Sequence, residues 1–340
     1  METYKILAPQ GRGAFGERLE ELHDTMQRWL ADELRQGRRL QYAKVFMSDI
    51  QNQDALFRSS ALCTQLLSGC ALSVVEQAPL DASKISVLAK TSDSGEGFLF
   101  HALRLSDAET QGLNSYVQTV LLFERYIKII REQGLDIRTH LVRTWIYVAD
   151  IDVNYQGVVK ARNDIFRQYG LTADTHYIAS TGIGGNTATR SESVAIDFLT
   201  CPTATAADLR FLQALDHLNP THEYGVAFER GTRLRTPAAD RFFISGTASI
   251  DRHGNVLHEG DVERQVYRLL DNIKALLADG GAGMADVAYF IVYLRDLSDY
   301  ALVSSLMRRL HPSTPHIIVH AKVCRPAWLV EMECIAVKRR

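Results

Sequence analysis

Two glutamates stand two residues apart on an apolar segment. Glu331 and Glu333 lie within Trp328–Val337, which is typical of a strand. Alternate side chains of a strand share a face, so both carboxyl groups point to the same side. Burial keeps a carboxyl group protonated at neutral pH, as a general acid requires. Glu331 is the predicted acid. Glu333 could share the pocket or be the acid itself, and a salt-bridged strand carboxylate is the structural alternative.

Four arginines are candidates for binding carboxylates, namely Arg143, Arg230, Arg309 and Arg325. A planar guanidinium holds a carboxylate through two parallel hydrogen bonds, although most arginines are solvated surface residues. Arg143 is less ordinary because it begins the apolar strand Thr144–Ala149. The Gly-rich segment Thr181–Gly185 is interpreted as a turn that could present backbone N–H groups to an anion, or as a plain tight turn.

The bulk composition favours a soluble protein that acts on small molecules. The chain has 340 residues, is 46% hydrophobic and carries a formal net charge of −2, with 38 basic and 40 acidic residues interspersed. No basic stripe indicates nucleic acid, and no apolar run approaches the roughly 20 residues of a membrane helix. The N-terminus has no signal-peptide core, so a cytoplasmic location is expected. The five cysteines are widely spread without CxxC spacing, which predicts reduced thiols and no metal site.

The same order of helices and strands occurs three times along the chain. An amphipathic helix is followed by an apolar strand ending near an aspartate (Asp49, Asp150 and Asp296), then by a second helix and further strands. The alternative is coincidence, with each aspartate a strand-end cap.

The predicted elements give a layered α/β architecture with mixed sheets and helices packed on one face. The first helices are placed at Phe15–Arg35, Asp107–Gln133 and Glu259–Gly280, and the second helices at Asp54–Leu67, Val153–Tyr169 and Tyr300–Leu310. The predicted division is an N-terminal portion 1–96, a central domain 97–202, a linker 203–238 and a C-terminal domain 239–340.

The last 105 residues resemble the RidA/YjgF family. Phe243-Ile-Ser-Gly246-Thr-Ala, Gly254, Asn272-Ile-Lys and Leu329-Val330-Glu331-Met-Glu333 match that family's order and spacing. The resemblance implies tandem RidA/YjgF-like (chorismate mutase-like) units. Because RidA proteins are trimers, it also implies an internal pseudo-trimer, with a monomer or homotrimer in solution.

Residues 97–340 resemble more closely the chorismatases, a branch built on the same fold. The shared motifs begin at Arg143-Thr-Trp145-Ile-Tyr147, at Thr181-Gly182-Ile-Gly184-Gly185 and at Glu223-Tyr224-Gly225, and continue through Arg230, Gly246, Arg309, His320, Cys324-Arg325 and Glu331. Residues 1–96 match poorly.

The resemblance implies an enzyme that needs no cofactor and removes pyruvate from chorismate. Glu331 would protonate the enol ether, and the arginines would hold the two carboxylates. Tyr147, Gly182, Gly184, Tyr224 and Glu333 would contact substrate, and His320 could assist aromatisation or be structural. Gly246 and Cys324 match the members that make 3-hydroxybenzoate, although members that also yield 4-hydroxybenzoate could share the pair.

Two other interpretations stay open. A RidA-type enamine or imine hydrolase needs an arginine near the start of the penultimate strand, where this chain has His316. A non-catalytic ligand-binding protein would leave Glu331 and the arginines without a role. Lys322 also departs from the chorismatase pattern, which has an aspartate there.

Overall fold

The computed structural model describes residues 1–93 and 97–340, except for the side chain of Tyr224. The first unit contains β1 (Glu2–Leu7), α1 (Phe15–Arg35), β2 (Arg39–Met47), α2 (Ile50–Ser59), a π-helical turn (Leu62–Leu67), β3 (Ala71–Glu76) and β4 (Ile85–Ser92). The second contains β5 (Leu99–Leu103), α3 (Asp107–Thr110), α4 (Ser115–Arg131), α5 (Ile137–His140), β6 (Leu141–Val148), α6 (Ile151–Gln168), β7 (Ala179–Gly184) and β8 (Val194–Thr200). The third contains β9 (Leu209–Phe211), β10 (Gly231–Arg235), β11 (Ala239–Thr247), α7 (Val262–Asp279), β12 (Val287–Leu294), α8 (Tyr300–Leu310), β13 (His316–His320) and β14 (Val330–Arg339).

All three units share one sheet topology. The strand orders are β1-β4-β2-β3, β5-β8-β6-β7 and β11-β14-β12-β13, and the third sheet continues past β11 with β10 and β9. In each unit the last two strands of these orders are parallel, namely β2 with β3, β6 with β7 and β12 with β13, and the other neighbouring pairs are antiparallel. The predicted α/β repeat is therefore confirmed.

The helices form where apolar residues recur at helical spacing. On α7, Val266, Leu269 and Ile273 are fully buried. This helix begins three residues later than predicted because the side chain of Asp261 caps it, accepting a hydrogen bond from the N–H of Arg264. Asp49 caps α2 in the same way, and Asp296 caps the short 3-10 helix Leu297–Asp299, so two of the three repeated aspartates serve as helix caps.

The units close into a ring, as the predicted pseudo-trimer requires. At the first interface, between the first and second units, Arg104 donates to the Ser73 hydroxyl over 2.9 Å. At the second interface, the Ser180 N–H donates to the Ser245 hydroxyl over 2.9 Å and joins β7 to β11. At the third interface, Arg241 donates to Glu2 over 2.7 Å.

Three sequence interpretations need correction. The segment 203–238 is more than a linker because it supplies β9 and β10 to the third sheet. Thr181–Gly184 belongs to strand β7 and is not a turn, since β7 pairs in parallel with β6. Strands β1 and β3 were not predicted. Within the part of the chain that the structure describes, no helix is long and apolar enough to cross a membrane.

Candidate active site

Glu331 is a buried acid at the second interface. It lies near the start of β14, opposite Tyr293 of β12, and is 4% exposed. Burial, together with the nearby Glu333, raises the pKa of this carboxyl group to about 8 against the opposing effect of Arg143 and Arg230. Glu331 is thus mainly protonated at neutral pH and able to donate a proton.

Glu331 faces a cavity of about 160 Å³ between the second and third units. The lining residues come from α6, β7, the segment before β10, β11 and the segment after it, and β14 and the segment before it: Tyr155, Arg162, Ser180, Gly182, Val226, Phe228, Arg230, Gly246, Ala248, Ile250, Cys324, Arg325, Trp328 and Glu331. A second cavity of about 290 Å³ shares Phe228 and Arg230 with it. The predicted residues Gly182, Arg230, Gly246, Cys324, Arg325 and Glu331 therefore meet in one place.

Three guanidinium groups line this cavity, and that of Arg162 was not predicted from the sequence. Arg162 on α6 is 2% exposed, and its Nε and Nη2 have no hydrogen-bond partner among the described residues. Arg230 is buried and donates to the Asn219 carbonyl oxygen over 3.1 and 3.2 Å. Buried N–H groups normally have partners, so the Arg162 guanidinium is poised for an anionic ligand.

Aromatic rings hold these cations in place. The guanidinium carbons of Arg162 and Arg230 lie 5.6 and 5.5 Å from the centre of the Phe228 ring. Arg325 lies 4.9 Å from the ring centre of Trp328. The Trp328 indole N–H is itself buried, with no partner among the described residues. The cavity therefore offers preorganised cations and a further donor.

Small side chains make room for the acid. A Cβ atom at Gly246 would lie only 1.9 Å from Glu331 Oε1, so the carboxyl group occupies the space that glycine leaves open. Gly182 similarly lies against the Tyr155 ring. Tyr155 and Cys324 line the cavity together, and burial raises the pKa of the Cys324 thiol to about 12. Cys324 is therefore a neutral wall group at physiological pH.

Arg143 and Glu333 lie behind the cavity wall and bind each other. Arg143 Nη2 donates to Glu333 Oε2 over 2.8 Å, and its Nη1 donates to the Ser245 hydroxyl over 3.1 Å. The Trp145 indole N–H donates to the other Glu333 oxygen over 2.6 Å. Neither residue lines the cavity, so the structure does not support the predicted direct contacts of Arg143 and Glu333 with substrate.

Four other predicted residues are not in this cavity. Tyr147 is buried at the first interface, where its hydroxyl donates to Asp197 over 3.0 Å. Gly184 and His320 line a separate polar cleft, because the ends of β7 and β13 meet there. Arg309 is on the exposed face of α8 and binds the Tyr267 hydroxyl. The side chain of Tyr224 lies outside the part of the chain that the structure describes.

One sequence signal could have revealed Arg162. It lies on the same helical face as Val158, Ala161 and Ile165, all of which are buried, and this spacing places its side chain toward the protein interior. Within residues 1–93 and 97–340, no cluster of histidine, cysteine, aspartate or glutamate side chains is arranged to hold a metal ion.

Comparisons with known proteins agree with this architecture. The family model described as Endoribonuclease L-PSP matches residues 229–338. A 3-hydroxybenzoate synthase from Streptomyces hygroscopicus is 28% identical over 215 residues, which cover 56% of this chain and 62% of the synthase. The chain thus matches less than two thirds of the length of that relative.

Two further matches concern the last unit and the whole chain. A RutC family protein from Pyrococcus abyssi is 35% identical over 98 residues, covering 28% of this chain and 77% of that protein. A crystal structure of a chorismatase aligns with a TM-score of 0.70 and 20% identity, over 99% of this chain and 98% of that one. The predicted resemblance and fold are confirmed. The chain has the chorismatase fold throughout and, through its C-terminal unit, belongs to the RutC family.

Proposed function

We propose that this protein is a chorismatase that converts chorismate to pyruvate and a hydroxybenzoate, with Glu331 as the general acid. The observation that carries the proposal is a protonated, buried carboxyl group facing a cavity lined by three guanidinium groups. The similarity to a 3-hydroxybenzoate synthase supports it independently.

The charge of the cavity favours a substrate with two carboxylates. With Glu331 protonated, the charged side chains among the described lining residues are Arg162, Arg230 and Arg325. Three cations that line one buried cavity favour an anionic ligand, and chorismate brings two carboxylates. An imine derived from an amino acid brings a single carboxylate. The arginine on which RidA-type hydrolases depend is replaced by His316 at the start of β13, which disfavours that alternative.

The proposed chemistry begins with proton transfer from Glu331 to the terminal carbon of the enol ether. The hydroxyl oxygen on the neighbouring ring carbon then attacks the carbon that carries the ether oxygen and loses its proton, while the bond between that carbon and the ether oxygen breaks and pyruvate leaves with that oxygen as its ketone. The three-membered ring formed in this step then opens. Loss of a ring proton then gives the aromatic product. Chorismate contains the same atoms as pyruvate plus hydroxybenzoic acid, so this route consumes no water overall, whereas a dihydroxylated diene would require one water.

We assign 3-hydroxybenzoate as the main product. The similarity to a 3-hydroxybenzoate synthase supports the 3-position of the hydroxyl group. Glu331 borders the cavity beside Gly246, Cys324 and Tyr155. A site that excludes water favours attack by the neighbouring hydroxyl group of the substrate over attack by a water molecule.

The test is to incubate purified protein with chorismate and identify products by chromatography with mass detection. Pyruvate with 3-hydroxybenzoate is expected, and Glu331→Gln should remove turnover while preserving the fold. Formation of 4-hydroxybenzoate or a dihydroxylated diene would refute the product assignment within the enzyme class. If chorismate is not consumed, the chorismatase proposal is wrong.

A further inference from the structure

The repeated topology gives Glu331 and Glu333 different positions. Trp145 and Ile291 each lie five residues before the repeated aspartates Asp150 and Asp296, so they are equivalent. Across the sheet, Trp145 pairs with Asp197 and Ile291 pairs with Glu333. Glu333 therefore occupies the position of Asp197 in the second unit.

Asp197 shows what this position does elsewhere in the ring. It is fully buried at the first interface, where it accepts hydrogen bonds from Tyr147 and Arg104, each over 3.0 Å, and lies 3.3 Å from Lys44. Glu333 likewise accepts from a basic and an aromatic residue of β6 at the second interface. A carboxylate at this position joins two units and balances buried cations.

The position of Glu331 has no such counterpart. Tyr147 and Phe46 precede their repeated aspartates by three residues, as Tyr293 does, and they pair with Ala195 and Ser86. The proton donor is therefore an addition found in one unit, whereas the acidic position of Glu333 recurs in the second unit.

One chain of hydrogen bonds connects Glu333 to Gly246, which contacts the Glu331 carboxyl group. The Thr181 hydroxyl donates to Glu333 and accepts from the Gly246 N–H over 2.9 Å and from Arg143. The Glu331 carboxyl group rests against Gly246. Glu333 thus fixes Thr181 beneath the acid and supplies the counter-charge of Arg143.

We infer that Glu333 is a positioning residue, which takes up the charge of Arg143 and so leaves Glu331 as the uncharged proton donor of the reaction proposed above. Without that counter-charge, the buried Arg143 guanidinium would stabilise ionised Glu331. The other groups that face Glu331 are Arg230 from the segment before β10, Arg162 and Tyr155 from α6, Tyr293 from β12, and Cys324 and Arg325 from the segment before β14. Arg143 and Arg230 favour the ionised form, and Glu333 is the acidic residue that opposes them.

The test measures the titration of Glu331 directly by NMR, in protein labelled with carbon-13 at the glutamate side-chain carboxyl. Glu331→Gln assigns the signal. Glu333→Gln should raise the acid dissociation constant of Glu331 tenfold or more, so that its titration moves to lower pH. Asp197→Asn removes the equivalent carboxylate at the first interface and should leave the Glu331 titration unchanged. An unchanged titration in Glu333→Gln, or an equal change in Asp197→Asn, would overturn the inference.

A second variant tests the same inference in the opposite direction. Arg143→Met removes the cation, so Glu331 should titrate at higher pH than in the native chain; a shift to lower pH would contradict the role of the pair. Arg143→Met also tests the inference if the Glu333→Gln variant fails to fold. The NMR readout does not depend on turnover, so it stands even if chorismate is not the substrate. If chorismate is turned over, the fall in kcat/KM at high pH should begin at lower pH in Glu333→Gln.

Discussion

The contact between Gly246 and Glu331 allows a quantitative prediction for Gly246→Ala. The new Cβ would lie 1.9 Å from Glu331 Oε1, and ordinary contact begins at 3.4 Å, so the carboxyl oxygen must retreat by about 1.5 Å. Misplacing a reacting group by about 1 Å can cost on the order of 100-fold in rate. We therefore expect the kcat for 3-hydroxybenzoate formation to fall about 100-fold, with some dihydroxylated diene because the displaced carboxyl group admits water.

The assay follows both products from chorismate by chromatography, with circular dichroism and thermal melting as checks of folding. Gly16→Ala is the matched control, since a Cβ there meets nothing within 4 Å and the residue lies in α1. The control should keep native turnover. If Gly246→Ala keeps kcat within about threefold of native and makes the same product, the carboxyl group in this position does not carry the reaction.

Three further predictions concern charge and protonation. Arg162→Met should raise the KM for chorismate at least tenfold. It should also stabilise the free protein by roughly 1–2 kcal/mol, because it removes buried N–H groups that have no partner among the described residues. A loss of stability in thermal melts would show that these N–H groups do have partners in the folded protein. The kcat/KM of the native enzyme should be highest below pH 8 and fall above it, because the pKa of Glu331 is about 8 and the protonated form is required; a rate that rises from pH 8 to 9 would exclude Glu331 as the acid. Because the pKa of Glu331 is raised in the folded chain, the native protein loses free energy of unfolding as pH rises from about 4.5 through 8. The Glu331→Gln variant lacks this titration. Urea unfolding should therefore show that the variant gains a few kcal/mol of stability relative to the native protein between pH 5 and pH 9.

The fold was largely predictable because the apolar pattern of this chain is strong. The bounds of α1 and α8 match their predictions, since each has one continuous apolar face. Strand β7 was missed because Ala179–Gly184 has the small residues of a turn, and its strand conformation depends on pairing with β6 and on contact with β11. Long-range pairing of this kind leaves no local periodicity.

The site was only partly predictable. Glu331 could be found because an acidic residue on a continuous apolar strand is conspicuous. Arg143 was recognised as unusual, but its partner could not be inferred, since Glu333 is 190 residues away along the chain. Arg162 was missed, although its spacing places it on the inner face of α6, because most arginines are solvated surface residues. Arg309 was placed by spacing alone, and the solvent-facing side of α8 holds it away from the cavity.

Joining the three units in one chain changes what a mutation can do. In a symmetric trimer each substitution appears at all three interfaces, so a change that improves a site also alters every contact that holds the ring together. Here Lys44 with Asp197 holds the first interface, and Lys90 with Arg241 around Glu2 holds the third. The second interface can therefore keep the buried Arg162 guanidinium, whose Nε and Nη2 have no partner among the described residues, at a cost in stability that the other two interfaces offset. Substitutions around Arg162 can change substrate choice without being repeated elsewhere, which makes this single cavity free to diversify.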